Sequence, residues 1–391
     1  MPADRTYDIV LFGATGFTGG LTADYLAHHA PAGLRWALAG RNQAKLEAVR
    51  RRLAAIEPAL AELALLSADV TDADSLRHVA ESARVVISTV GPYVLYGEPL
   101  VAACASAGTD YLDLTGEPEF VDTMYLKYHI TAVASGARLI HCCGFDSIPH
   151  DLGVYFTVGQ LPEGVPLRVE GFVRSNASFS GGTFHSAITG FSRARKNVAA
   201  ARQRRKSEPR PGGRSARAVA GRLHREPVVD AWAVPLPTVD GQIVGRSARA
   251  LARYGPDFRY SHYAAVKRLT TVLGATAALA ATMGAAQVPP LRKVLLARIN
   301  PGDGPTAARR ARSWFTVTFI GEGGGRRVVT RVSGGDPGYD ETSKMLAETA
   351  LSLALDANPL TSGQVTTAQA AGDSLLDRLM KAGLTFEVLT S

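Results

Sequence analysis

A chain of 391 residues that is 46% apolar and 20% charged is too long for one typical domain and suits two with sizeable cores, which excludes a disordered or low-complexity protein. Its net charge of +8 would suit a nucleic-acid binder, but twelve Lys or Arg stand against Glu208 alone between Arg193 and Arg225, so that stretch carries +11 and the rest of the chain about −3. Three cysteines, two of them adjacent (Cys142, Cys143), exclude a disulfide framework or a cysteine-ligated zinc site and fit a reducing cytoplasm.

The N-terminus, MPADRTYDIV, runs straight into the first strand, so no signal peptide is expected. In DIVLFGATGFTGGLTADYLAHH (8–29), Ile9 to Phe12 read as a strand, and Leu21, Tyr25 and Leu26 recur at helical spacing. Between them Gly13, Gly16 and Gly19 stand three apart. One glycine permits a tight turn, a second lets backbone approach a pyrophosphate, and a third lets the helix pack closely on the strand. The helix then aims its unpaired N–H groups and positive dipole end at the phosphates. The spacing is G-x-x-G-x-x-G, and the strand–loop–helix context is what points it to a dinucleotide.

The second strand, Leu34 to Ala39, ends in Gly40-Arg41-Asn42, and no acid lies between Asp24 and Glu47. An NAD site wants a carboxylate there for the ribose 2′-hydroxyl, whereas a guanidinium suits a 2′-phosphate. NADP(H) is therefore expected, with Arg41 as its main 2′-phosphate ligand. A third strand, Leu63 to Leu66, leads to Asp69, which can meet the adenine or cap the following helix. Val85 to Val90 is a continuous run of the kind buried on both faces, and it ends in Gly91-Pro92-Tyr93. LVAACASAG reads as a helix closed by Gly108, and DYLDLTGE and ARLIHCC as further strands. Strands alternating with helices predict an α/β fold: a Rossmann-type, doubly wound parallel sheet over residues 1–150, with Gly91 and Pro92 beside the cofactor.

After residue 151 the pattern changes. LRVEGFVRSNASFSGGTFHSAITGF reads as a strand, a Gly-rich turn and a helix, and SWFTVTFIGEGGGRRVVTRVSGG as an antiparallel hairpin turning at 321–325. An inserted α+β domain with an antiparallel sheet is expected over 151–335, serving substrate and dimer contacts. Within it, 193–225 reads as an exposed basic loop, either simply solvated or touching anionic lipid or an acidic partner. Nucleic acid is not expected, because no aromatic residues interleave the charge to stack bases. Residues 270–291 carry no charge; their Ala, Gly and Thr content favours a packed or interfacial helix over a membrane span. Helices at about 340–355 and 368–382 are expected to return, within 336–391, to the first domain.

Two loops should face the nicotinamide, 91–98 and 142–151. Tyr93 is the first candidate proton donor, with Tyr96, His150 and Glu117 as others; packing or structural roles compete with each. His150 stands in the first turn of a helix, where the dipole disfavours its charged form and a neutral ring can donate to a substrate carbonyl. Asp146 or Ser147 can cap that helix, and the N-terminus at Ser147 would favour a carboxylate or a developing enolate. No metal-ligating cluster is evident in the sequence. Tyr125 is followed by Lys127 and not by a lysine four residues on, which disfavours a short-chain dehydrogenase mechanism.

The segments DIVLFGATGFTG, LAGRN, VVISTVGPYVLYGEPLVAACASAGTDYLDLTGE and CGFDSIPHDLG resemble the saccharopine dehydrogenase-like oxidoreductases, closest to an actinobacterial branch called trans-acting enoyl reductases. SGGT, FRYSHY, GDPGYDETS and AAGDSLLDRLMKAGL extend the likeness over nearly the whole chain, most weakly at about 193–310. The resemblance implies NADPH-dependent reduction of an enoyl bond in an acyl or polyketide-derived lipid carried by a separate synthase. It implies cofactor contacts at Gly13, Thr15, Gly16, Phe17, Thr18, Gly19 and Arg41. The branch usually has a small residue where this chain has His150. Saccharopine reduction itself is disfavoured, since these loops lack an arginine cluster for three carboxylates. The competing readings are an imine or carbonyl reductase of the same fold and a non-catalytic NADPH-binding protein on a lipid surface. The expected location is the cytoplasm or the inner face of the membrane, and the expected assembly a homodimer.

Overall fold

The computed structural model describes residues 5–177, 192–209, 212–288, 290, 291, 294 and 304–390. The chain opens with β1 (Tyr7–Phe12), α1 (Phe17–His29), β2 (Trp36–Gly40), α2 (Gln43–Ala54), β3 (Ala64–Ser67), α3 (Ala73–Ser82) and β4 (Ala83–Ser88). It continues through α4 (Tyr93–Tyr96), α5 (Glu98–Ala107), β5 (Asp110–Asp113), α6 (Pro118–Ser135), β6 (Arg138–Ile140) and α7 (Ile148–Val158). Side chains of β1 alternate between two separate cores: Ile9 and Leu11 join one, Val10 and Phe12 the other. In β4, Val85 and Ile87 likewise part from Val86. A strand buried on both faces must be apolar throughout, and helices must cover both sides of its sheet.

That sheet has seven parallel strands in the order β14-β6-β5-β4-β1-β2-β3, with β14 (Gly363–Val365) supplied by the C-terminal part of the chain. The chain runs outward from β1 to β3, then returns to β4 on the other side. Strand order thus reverses between β1 and β4, and their carboxyl ends flank the crevice where doubly wound sheets take ligands.

The second sheet has eight strands. β7 (Leu167–Ser175), β8 (Ser215–Ala218), β9 (His224–Glu226), β10 (Ala231–Pro235), β11 (Asp257–Val266), β12 (Phe315–Gly323), β13 (Arg326–Gly334) and β15 (Thr385–Thr390) form it, in the order β15-β13-β12-β7-β11-β10-β9 with β8 beside β11. The expected hairpin is β12–β13, and its turn is Gly324-Gly325, both at positive φ (58° and 78°) as a two-residue hairpin requires. The sheet is mixed and not antiparallel throughout, because β11 runs parallel to both β7 and β8. α7 lies across it. A Cβ at Gly153 would stand 2.4 Å from the Phe319 ring, so glycine sets the distance between this helix and the sheet.

Two expectations need correction. The segment 193–225 is not an exposed loop: it holds the helix Ala194–Ser207 and the strands β8 and β9. Its arginines are partly structural. Buried Arg204 pairs with Asp122 (3.5 Å) and Glu208 (3.2 Å), Arg193 pairs with Glu119, and Arg214 donates to the carbonyls of Ala248, Leu251 and Gly255. Second, the C-terminal part serves both sheets. Helix Asp340–Leu355 packs on α1 and β4, but β15 pairs with β13, and the expected 368–382 helix is split into Thr367–Ala370 and Gly372–Lys381. Leu269–Gln287 is helical, as expected, and no helix among the described residues is long and apolar enough to cross a membrane. The helix expected after β7 falls at 178–191, outside the described residues.

Candidate active site

The Gly-rich loop joins β1 to α1, and its three glycines have different tasks. Gly13 has φ +99°, and a Cβ there would strike Thr89 Oγ1 (2.6 Å) and Val90 Cγ2 (2.8 Å). At Gly19 a Cβ would stand 2.3 Å from the Gly13 carbonyl oxygen, so α1 packs directly on the turn. Gly16 is the N-cap, and a Cβ there would meet only the Gly13 oxygen at 3.4 Å. Thr15 and Gly16 are exposed at the crest. No side chain caps α1 and no acid occupies its first turn, so the helix end is left for an anion. Phe17 faces the C-terminal part instead, edge-on to Tyr339 at 4.7 Å, and the Thr18 carbonyl accepts from the Thr22 and Ser343 hydroxyls.

Arg41 follows β2 directly. It is exposed and makes no hydrogen bond or ion pair among the described residues. Asn42 caps α2 by accepting from the Lys45 N–H at 2.9 Å. Asp69 builds its own turn, accepting from Thr71 N (2.9 Å) and Thr71 Oγ1 (2.8 Å), while Asp72 caps α3. Those Thr71 bonds, assisted by the nearby Arg41 charge, hold the Asp69 carboxyl below its ordinary range. Loop, helix end and guanidinium therefore fit a phosphorylated adenine dinucleotide laid across the β1–β4 crevice.

The loops after β4, β5 and β6 form one stitched rim. After the cis Gly91-Pro92 bond, the N–H groups of Tyr93 and Val94 both donate to Glu117 (3.1 and 2.8 Å), so Glu117 is structural. Asp113 accepts from Thr115 N, Cys142 N and His141 Nδ1 (2.6 Å), joining β5 to β6. Tyr93, the first expected donor, does not present its hydroxyl to the crevice. It is 4% exposed, and its Oη donates inward to the Ser88 carbonyl at 3.0 Å. Burial, then the Asp113 charge, push its phenol well above the ordinary value. Tyr93→Phe is expected to cost about 1 kcal/mol of stability, the worth of one buried hydrogen bond. Its kcat and pH profile should match wild type; a hundredfold loss of kcat in a folded variant would restore Tyr93 as the donor.

Ser147 and His150 are also turned inward. Ser147 is 1% exposed and its Oγ donates to the Asp146 carbonyl at 2.5 Å. His150 is 2% exposed. Its Nδ1 lies 2.8 Å from Asp240 Oδ1, at hydrogen-bond distance though poorly aligned, and its ring meets the edge of His262 at 4.7 Å. His262 Nε2 lies 3.6 Å from the other Asp240 oxygen, and its Nδ1 faces Tyr260 Oη at 3.0 Å. Burial opposes the charge on Asp240, but the two imidazoles outweigh it and keep that carboxyl below its ordinary range. Burial and His150 push His262 down to about 4. Donor atoms of His150, Asp240 and His262 lie within 4.8 Å of one another, a spacing that a cation can bridge. Separations of 90 and 22 residues hid this cluster, so the sequence expectation of no metal-ligating group was incomplete.

The acid of the β6 loop points outward. Asp146 is exposed, and a Cβ at Gly116 would stand 3.0 Å from its Oδ2, so its carboxylate reaches over the β5 loop. It makes no helix cap: α7 has no side-chain cap bond. A loop that precedes a helix suggests a cap at Asp146 or Ser147; the signal for the outward acid is its place at the carboxyl edge of the sheet.

Comparison with known proteins agrees with this arrangement. Residues 9–140 match the family model described as the saccharopine dehydrogenase NADP binding domain. A Mycobacterium bovis protein named trans-acting enoyl reductase is 36% identical, the alignment covering 98% of both chains. A Mycobacterium tuberculosis protein named for the same activity is 40% identical over 98% of this chain and 97% of its own. A Bos taurus saccharopine dehydrogenase-like oxidoreductase is 32% identical over 99% and 98%. Among solved structures, apo saccharopine dehydrogenase (L-Glu forming) from Saccharomyces cerevisiae shares the fold, with a TM-score of 0.55 at 13% identity, covering 98% of this chain and all of that one.

Proposed function

Because the chain belongs to the saccharopine dehydrogenase-like oxidoreductases, and within them to the trans-acting enoyl reductases, we infer that it is an NADPH-dependent reductase of enoyl bonds. Its substrate class is an α,β-unsaturated acyl thioester of polyketide origin, presented by a separate synthase or carrier. The observation that carries this reading is the full-length identity of 36–40% to proteins named for that activity, joined to a dinucleotide loop after β1 and an exposed Arg41 after the neighbouring β2.

NADPH supplies, when bound, a hydride to the β-carbon of the conjugated thioester. The protein's own part is placement. Gly13 and Gly19 fix the turn, the α1 N-terminus and Thr15-Gly16 crest take the pyrophosphate, and Arg41 takes the 2′-phosphate. Gly91 and Pro92, at the end of β4, border the nicotinamide, and the rim held by Glu117 and Asp113 keeps that border rigid. A reaction that creates an enolate needs a proton donor within reach of the α-carbon.

Purified protein incubated with NADPH and a panel of acyl thioesters, ketones and imines tests the reading. Loss of NADPH absorbance with enoyl thioesters, and formation of the saturated product, is the expected result. Turnover of ketones or imines alone would reassign the chemistry, and tight NADPH binding without turnover of any substrate would make it a binding protein.

A further inference from the structure

We propose that Asp146 is the catalytic proton donor, delivering its carboxyl proton to the α-carbon of the enolate; this rests on the enoyl-reductase reading above. Tyr93, Glu117, His141 and His150 are buried, each against a protein partner. Asp146 alone among these neighbours is exposed, and no hydrogen bond to its side chain is formed among the described residues.

Its position is suited to the task. The nicotinamide end of a dinucleotide lies beyond the strands past β1, over β4 and β5. Asp146 stands on the next loop, after β6, and its Oδ2 leans to within 3.0 Å of where a Gly116 Cβ would be. Gly116 leaves room for that carboxylate to cross above β5. Any side chain there would push it back. A substrate seated over the β4 and β5 ends therefore has the ring on one side and Asp146 on the other.

The surroundings supply a protonated acid. The Asp146 carboxyl is raised to about 7, chiefly by loss of hydration, next by the field of Asp240, with His150 opposing. The groups whose fields reach it are Asp240 on helix Asp240–Ala250, His150 on α7 and the Cys142 thiol after β6. Asp240, held ionised between His150 and His262, is thus a positioning charge that keeps the donor protonated. Substrate covering the exposed carboxyl removes more water and raises the group further.

The step balances. The hydride pair forms the C–H bond at the β-carbon while the alkene π pair moves into the enolate. The α-carbon then takes the proton as the Asp146 O–H bond breaks. Solvent returns one proton to the carboxylate when the saturated thioester leaves, so each cycle consumes one NADPH and one proton.

The test compares wild type, Asp146→Asn, Asp146→Glu and Tyr96→Phe by steady-state NADPH oxidation with an enoyl thioester across pH. Tyr96, 45% exposed on the neighbouring loop, is the competing donor. Asp146→Asn is expected to lower kcat about 100-fold, within the usual contribution of a general acid. NADPH affinity, read by fluorescence titration, should stay at the wild-type value and report an intact fold. Wild-type kcat should fall as pH rises through the donor's range, the Asn variant should lose that dependence, and Asp146→Glu should recover part of both. An active wild type with an unimpaired Asn variant, or loss on Tyr96→Phe alone, overturns the donor and leaves the reductase reading standing. A wild type without enoyl turnover overturns both.

Discussion

Replacing Arg41 by alanine is expected to weaken NADPH binding about 10- to 100-fold while changing NADH binding by less than about threefold. The magnitude follows from charge-assisted hydrogen bonds at roughly 1.5–3 kcal/mol each, with about 1.4 kcal/mol per factor of ten. Arg41 is exposed and unpaired among the described residues, so its removal leaves no buried charge behind and should not unfold the protein. The loss should shrink with added salt, since the pair is open to solvent. Asp69 does not compete for the role of ribose carboxylate, because both Thr71 groups already occupy it. Calorimetric titration of both cofactors into both proteins measures the four affinities. A variant that holds NADPH as tightly as wild type, or a wild type that prefers NADH, removes Arg41 from the site.

The cofactor half of this site was readable because its information is local. Strand, three glycines, helix and Arg41 fall within 34 consecutive residues, and each is constrained by backbone geometry or by the charge of one phosphate. The doubly wound sheet was readable for a similar reason: strands buried on both faces leave continuous apolar runs such as Val85 to Ile87, and the two cores split that run residue by residue.

The catalytic half was not, because orientation decides it. Whether Tyr93 looks into the crevice or into the sheet depends on where Ser88 and Glu117 stand, and they lie 5 and 24 residues away. His150 proved to belong with Asp240 and His262, which reach it from α7's neighbours in the second sheet and its covering helix. The basic stretch misled for the opposite reason. Charge density suggested a solvated loop, yet Arg204 is buried against Asp122, Glu208 and the Tyr125 ring, partners that no local count of charge includes. The last strand did leave a mark: after Gly383, Phe386 and Val388 alternate with Thr385 and Glu387, a short period of two following a helix.

The second large effect is expected at Gly19, and Gly16 provides its contrast. A methyl group at Gly19 would overlap the Gly13 carbonyl oxygen at 2.3 Å, the Gly13 carbonyl carbon at 2.8 Å and Thr89 Oγ1 at 2.6 Å. Backbone atoms cannot rotate away, so α1 must lift off the turn. The helix then loses contact with β1 and carries its N–H groups away from the pyrophosphate. Overpacking of this kind costs about 1–3 kcal/mol, so Gly19→Ala should melt at a lower temperature and lose NADPH affinity tenfold or more, roughly the effect of moving a phosphate off a helix end. Gly16→Ala meets only the Gly13 oxygen at 3.4 Å, and its φ of −82° is open to alanine. Its melting temperature should equal wild type, but its methyl group stands where the pyrophosphate must approach backbone, so NADPH affinity alone should fall. Thermal melts with and without NADPH separate the two variants. A Gly19→Ala protein that melts with wild type and binds NADPH normally would show that α1 does not need that contact. Unimpaired binding by Gly16→Ala would move the pyrophosphate off the crest of the loop.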